Sequence, residues 1–181
     1  MKNPFFRFIV VFTILIILWF GFYENIYELE PIFGVDIQRQ VSLKLANLSN
    51  WFVAKFGFTP SLSTNTDYVI TSLVGDYYGQ GVWIGEPCNG IKVFGLFSIF
   101  IIAFEGSWKD KIWFIPLGLL LLHFINAIRI ALLTIIAAKY PDLLDFNHNI
   151  TFQIIVYGVV FFLWYIWVNK FSKKRKETTK I

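Results

Sequence analysis

The sequence predicts an all-α polytopic membrane protein of about four transmembrane helices, with an outer-face amphipathic helix and a short β-hairpin. Three observations carry that expectation. Hydrophobic residues make up 56% of the 181-residue chain, and 21 Phe and 7 Trp swell the aromatic share to 20%. A soluble domain with about 45–50% apolar residues has less to hide. The apolar residues collect in runs that approach or reach the roughly 20-residue helix needed to cross about 30 Å of hydrocarbon. Basic residues cluster at alternate ends of those runs.

The elements follow in order. Residues 8–23, FIVVFTILIILWFGFY, come after Lys2 and Arg7 and form the first span. No small-x-small cleavage site follows, and the run exits through GFYENIYELE, so the expectation is an uncleaved signal anchor. Residues 24–85 are the extracytoplasmic segment. Within it, VDIQRQVSLKLANLSNWFVAKFGF places Val41, Leu45, Leu48 and Phe52 at helical spacing, which predicts an amphipathic helix on the membrane face. DYVITSLV and GQGVWIG read as two short strands around a GDYYGQG turn. Residues 89–105 form a short second span, in which Lys92 lies near enough to the end to snorkel. Residues 112–138, with His123, Asn126 and Arg129, are long enough to cross with tilt. Residues 150–168 close the set on Trp164, Tyr165 and Trp167, read as an interfacial aromatic belt. Residues 169–181 are a basic cytoplasmic tail. The whole chain, 1–181, is expected to be one membrane domain.

Charge orients it. With four spans, Lys2 and Arg7, the connector EGSWKDK and the tail NKFSKKRKETTKI all fall on one side, which the positive-inside rule makes the cytoplasm. In the outer segment the acids (Glu24, Glu28, Glu30, Asp36, Asp67, Asp76) outnumber the bases (Arg39, Lys44, Lys55). Both termini are therefore expected inside, in the cytoplasmic (inner) membrane of the cell.

The chain has a single cysteine, which excludes an intramolecular disulfide, a CxxC redox pair and a Cys-based zinc cluster. Cys88 stands in VWIGEPCNGIKVF, at the outer end of the second span. Arg129 is 17 residues past Ile112, about 25 Å up its helix at 1.5 Å per residue, hence near the outer interface. His148, in DLLDFNHNITF, precedes the fourth span on the same side. Three residues distant in sequence thus converge at one depth. Each has a plain alternative: Cys88 as a small packing residue, Arg129 snorkelling to headgroups, His148 as a loop residue. Against these, a helix N-terminus favours thiolate and offers N–H groups as an oxyanion hole. Pro87 suits a helix opening and Gly90 permits close approach of a substrate. Asn126 and Arg129, three apart, share one helical face. A charged residue within a span faces a partner or a polar cavity. His148 is apt as an acid or base. His123, about 9 Å deeper, reads as an interior packing histidine, and Glu86 as structural or substrate-facing.

The order of PCNGI opening a membrane helix, NAIR in the next and a histidine before the last resembles the exosortase/archaeosortase family. These are membrane-embedded cysteine transpeptidase-like proteases, and the resemblance is to the short type of Bacteroidetes-like bacteria. It covers mainly residues 85–157, with weaker support from the hairpin. It implies that Cys88 is the nucleophile, Arg129 the arginine and His148 the third catalytic position. It also implies a substrate class: exported proteins whose C-terminal sorting tails carry a short motif, a membrane helix and a basic cluster. Many members have Ala-Cys-Ser-Gly where this chain has Pro-Cys-Asn-Gly, and larger members have more spans. The resemblance thus implies a thiol protease or transpeptidase acting at the outer face of the membrane. No cofactor, no metal and no nucleic acid are expected, and the partners are the tails and the bilayer. The alternative function is a non-catalytic membrane assembly or transport factor on the same scaffold.

Overall fold

The computed structural model describes residues 3–25, 36–65, 68–75, 81–86 and 88–172. Residues 76–80 of the expected hairpin turn, Pro87 and residues 173–181 of the basic tail lie outside this set.

Helix α1 spans Pro4–Glu24. Asn3 caps it, its Oδ1 accepting from the Phe5 N–H at 3.0 Å, and Pro4 occupies a first-turn position where a missing N–H costs nothing. Helix α2 spans Ile37–Lys55, opened by Asp36, whose Oδ1 accepts from the Arg39 N–H. Its end is a Schellman motif. Phe58 N–H reaches back to Val53 O and Gly57 N–H to Ala54 O, with Gly57 at φ 87°, a conformation that favours glycine.

Three antiparallel strands follow in the order β1 (Pro60–Thr64), β2 (Val69–Leu73) and β3 (Val82–Trp83). Leu62 pairs with Thr71, and Ile70 with Trp83. The expected hairpin is β2–β3; β1 adds a strand on its other edge. Helix α3 spans Ile91–Ala103 and α4 Trp108–Lys139. Helix α4 continues through Pro116, a break that membrane helices tolerate when the freed carbonyl finds another partner. A continuous helical run, Pro141–Ser172, completes the chain. It begins as a 3-10 turn (Pro141–Leu143) and passes through a π-helical turn at Asn147–Thr151. Then come α5, Phe152–Ile166, and a second π-helical turn at Trp167–Ser172.

Among the described residues, three helices are long and apolar enough to cross a membrane: Pro4–Glu24, Trp108–Lys139 and Pro141–Ser172. The remaining expected span, α3, is apolar but has 13 residues, roughly 20 Å at 1.5 Å per residue.

The chain divides into two compact units. One holds α1, most of α3, the first part of α4 and the end of the last helical run. Its interior is aromatic. Phe97 and Trp167 are fully buried, the Trp167 ring lies 5.1 Å from Phe114 and 5.3 Å from Phe171, and Trp164 stacks on Phe100 at 4.1 Å. Of the three residues read as an interfacial belt, Tyr165 is broadly exposed, at 66%, whereas the Trp164 and Trp167 indoles pack against ring partners. Lys92 lies over the Tyr23 ring at 5.1 Å.

The other unit holds α2, the sheet, the Cys88 turn, the second part of α4 and the start of the last helical run. Helix α2 packs on β1 and β2. It buries Gln38, Ser42, Leu45, Ala46, Ser49 and Val53, a stripe recurring every three to four residues. Leu45, Val82, Ile84, Ala127, Ile130 and Cys88 belong to one core cluster.

Candidate active site

Cys88 lies in the turn between β3 and α3. Its own N–H and that of Asn89 both donate to Gly85 O, at 2.9 and 3.0 Å. This turn presents the thiol to the core, where it is 4% exposed. Asn89, fully buried, caps the start of α3 by accepting from the Ile91 N–H at 3.0 Å. Its Nδ2 donates to Gln38 Oε1 of α2 at 3.2 Å. The residue after the cysteine is thus tied to both a following and a preceding helix.

Helix α4 brings two polar side chains to the same place. Asn126 is 3% exposed and Arg129 8% exposed. Asn126 Nδ2 donates to Cys88 O at 2.9 Å, and Arg129 Nη1 donates to Asn126 Oδ1 at 3.2 Å. Arg129 Nη2 stands 4.0 Å from Cys88 Sγ. Arg129 Nε has no partner among the described residues. Snorkelling does not describe this arginine: it is packed inward, and its guanidinium meets an amide and a sulfur.

His148 comes from the π-helical turn. Its Nε2 is 3.0 Å from Cys88 Sγ, and its Nδ1 is 3.1 Å from Asn149 Oδ1. A carbonyl-type oxygen can only accept, so Nδ1 carries the proton of the neutral ring and Nε2 turns its lone pair to the thiol. The expected loop around this histidine is a helix. Pro141 and the acids Asp142 and Asp145 mark its start, and π-turns of this kind recur at functional sites.

The structure therefore brings together Cys88, Arg129 and His148, which sequence spacing had placed at a common depth. The electrostatics differ from expectation. Burial pushes the Cys88 thiol up from its ordinary range; the charge of Arg129 and its hydrogen bond pull it down, and burial wins. The first residue of α3 is Ile91, so Cys88 stands just before the helix rather than on it. The Cys88 and Asn89 N–H groups, expected as oxyanion donors, both donate to Gly85 O. What remains is a neutral thiol with a proton acceptor at hydrogen-bonding distance and a cation beside it. That arrangement can transfer a proton from Sγ to Nε2 as the sulfur attacks an electrophile.

The sequence pattern marks Asn126 only as sharing a face with Arg129 and does not single out Gln38, Asn89 or Asn149. A signal existed for two of them. Gln38 interrupts the buried stripe of α2 with a group that must find a partner, and Asn149 adjoins the histidine. The pairing of Gln38 with Asn89 crosses 51 residues and leaves no mark in local pattern.

A helical membrane protein with a buried cysteine hydrogen-bonded to a histidine beside an arginine belongs to the class of membrane proteins with a preassembled thiol–imidazole pair. The family model for transmembrane exosortases matches residues 5–169. The chain belongs to that family, whose members are membrane transpeptidases or proteases of protein sorting. No curated protein and no solved structure matches the chain.

Proposed function

We propose that this protein is a cysteine peptidase or transpeptidase that cuts C-terminal sorting tails of exported proteins at the outer face of the cytoplasmic membrane. Both termini lie in the cytoplasm in this reading. The observation that carries it is the 3.0 Å contact between Cys88 Sγ and His148 Nε2, with Arg129 on the sulfur's other contact.

The chemistry follows from those atoms. The thiol proton passes to His148 Nε2, and the sulfur forms a bond to the carbonyl carbon of the scissile peptide. The carbonyl oxygen takes the electron pair and becomes an oxyanion, whose charge the Arg129 guanidinium offsets. The imidazolium returns its proton to the leaving nitrogen as the C–N bond breaks, leaving a thioester. Water gives hydrolysis; an amine gives transfer to a new anchor.

The test is a cognate tail, a motif followed by a membrane helix and a basic cluster, co-expressed with the enzyme. Mass spectrometry reads the new C-terminus of the product. Cys88→Ala and Arg129→Ala are expected to leave the tail intact while each protein still inserts. Full processing by Cys88→Ala would sink the proposal. The burial of the thiol favours one other reading, a scaffold in which Cys88 merely packs, and that reading predicts such an indifference to Cys88→Ala.

A further inference from the structure

Asn126 joins two groups that sequence separates by 41 residues. A primary amide carries donors at one end and an acceptor at the other, and here both ends are used. The Nδ2 end holds Cys88 O at 2.9 Å and the Oδ1 end holds Arg129 Nη1 at 3.2 Å. Among the described residues, the hydrogen bonds of Arg129 go to Asn126 Oδ1 and to Cys88 Sγ. Its direction toward the sulfur therefore depends on that amide. An unanchored guanidinium on a long side chain has many other rotamers. Asn126 is 3% exposed, so both of its bonds are made away from solvent.

We infer that Asn126 is the positioning residue of this site: it clamps the Cys88 main chain with one end and the Arg129 guanidinium with the other, so that the cation faces the sulfur. Alanine in its place has neither end. The inference deepens the proposed function, since it takes Cys88 as the reacting group, but its first readout is the thiol itself.

The groups facing that thiol are the His148 imidazole from the last helical run and the Arg129 guanidinium from α4, with Glu86 two residues back on its own loop. Helix α2 and the sheet contribute Leu45 and Val82 to the same core, both uncharged.

The experiment measures the pH midpoint of Cys88 alkylation by iodoacetamide in the purified full-length protein in detergent. Wild type, Asn126→Ala, Arg129→Met and the double variant are compared. Removing a facing cation raises a thiol midpoint by about one unit or more, so Arg129→Met is expected to shift upward and Asn126→Ala to follow it. The double variant should lie no higher than Arg129→Met alone, because the amide has nothing left to aim. Asn126→Leu, which keeps the volume in an apolar setting, serves where the alanine variant does not insert, with the same expectation. A wild-type midpoint in the surviving Asn126 variant overturns the inference, and so does a double variant whose shift is the sum of the singles. Tail cleavage is followed on the same samples. A tail left uncut by wild type overturns the proposed function and leaves the alkylation result to stand or fall separately.

Discussion

At Cys88 two effects of opposite sign meet. Removal from water disfavours the charged thiolate, and a guanidinium 4.0 Å away favours it. Burial is the larger, so alkylation of the native chain is expected to keep accelerating with pH beyond about 8.5, where an unperturbed thiol levels off. A plateau at or below neutral pH, read from iodoacetamide rates, would contradict the packing described above. The sign carries over to stability. The folded chain holds this proton more tightly than an unfolded one. Its contribution is therefore complete below the ordinary thiol pKa and is lost as pH rises through the elevated folded value. In the proposed reaction His148 has the complementary role. His148→Gln keeps a polar side chain but removes the base, and tail cleavage is expected to slow by about 10²–10⁴-fold, with protein levels near wild type on an immunoblot.

Among the elements, α4 leaves room for an aromatic ring of α3 by lacking a side chain at Gly118. A Cβ at Gly118 would stand 2.3 Å from the Phe97 ring carbon Cζ, and Phe97 is fully buried. Gly118→Leu is therefore expected to lower thermal stability in detergent by about 1–3 kcal/mol. Gly158→Ala, with nothing within 4 Å, should be neutral or stabilising by up to about 1 kcal/mol. The long helices were legible because hydropathy alone decides them: α1 and α4 begin and end within a few residues of the apolar runs. Strand β1 was not. Its PSLST opens on proline and is mostly polar, so its only reason to be a strand is the partner β2. The helical character around His148 was hidden for a related cause: Asp and Asn make up half of DLLDFNHN and favour turns, yet the segment is helical and continues into the apolar run after it. The buried face of α2 was half legible. Leu45 lies on the expected apolar stripe, but the buried face also carries Ser42, Ala46 and Ser49, small residues with little hydropathic signal. The convergence of Cys88, Arg129 and His148 was visible as depth, because charge bias and helical rise are sequence quantities. The hydrogen bonds of Asn126 were not, since a face of a helix does not name what it touches.

The whole molecule exposes apolar side chains on a scale only hydrocarbon can solvate: along α1 alone, Ile14, Ile17, Leu18, Phe20 and Phe22 are each more than 40% exposed. Orientation is tested with introduced cysteines in a Cys88→Ala background. Thr59→Cys should react with an impermeant maleimide in intact cells and Lys109→Cys only after permeabilisation. The reverse pattern would invert the proposed topology. Helix α3 adds a constraint of length. At roughly 20 Å it falls short of a hydrocarbon layer of about 30 Å, so the proposed crossing at α3 requires thinned lipid or protein at one of its ends.

The isolation of the one thiol also decides how it ages. A sulfenic acid is ordinarily rescued by condensing with a second cysteine, and this chain has none. Any oxidation of Cys88 that outruns external reductant proceeds to sulfinic acid, which is a dead end. Peroxide attacks thiolate in preference to thiol, so the burial that keeps Cys88 protonated also slows its oxidation. The consequence is measurable: wild type should withstand a peroxide exposure that inactivates an ordinary exposed cysteine, and what activity it does lose should not return with dithiothreitol.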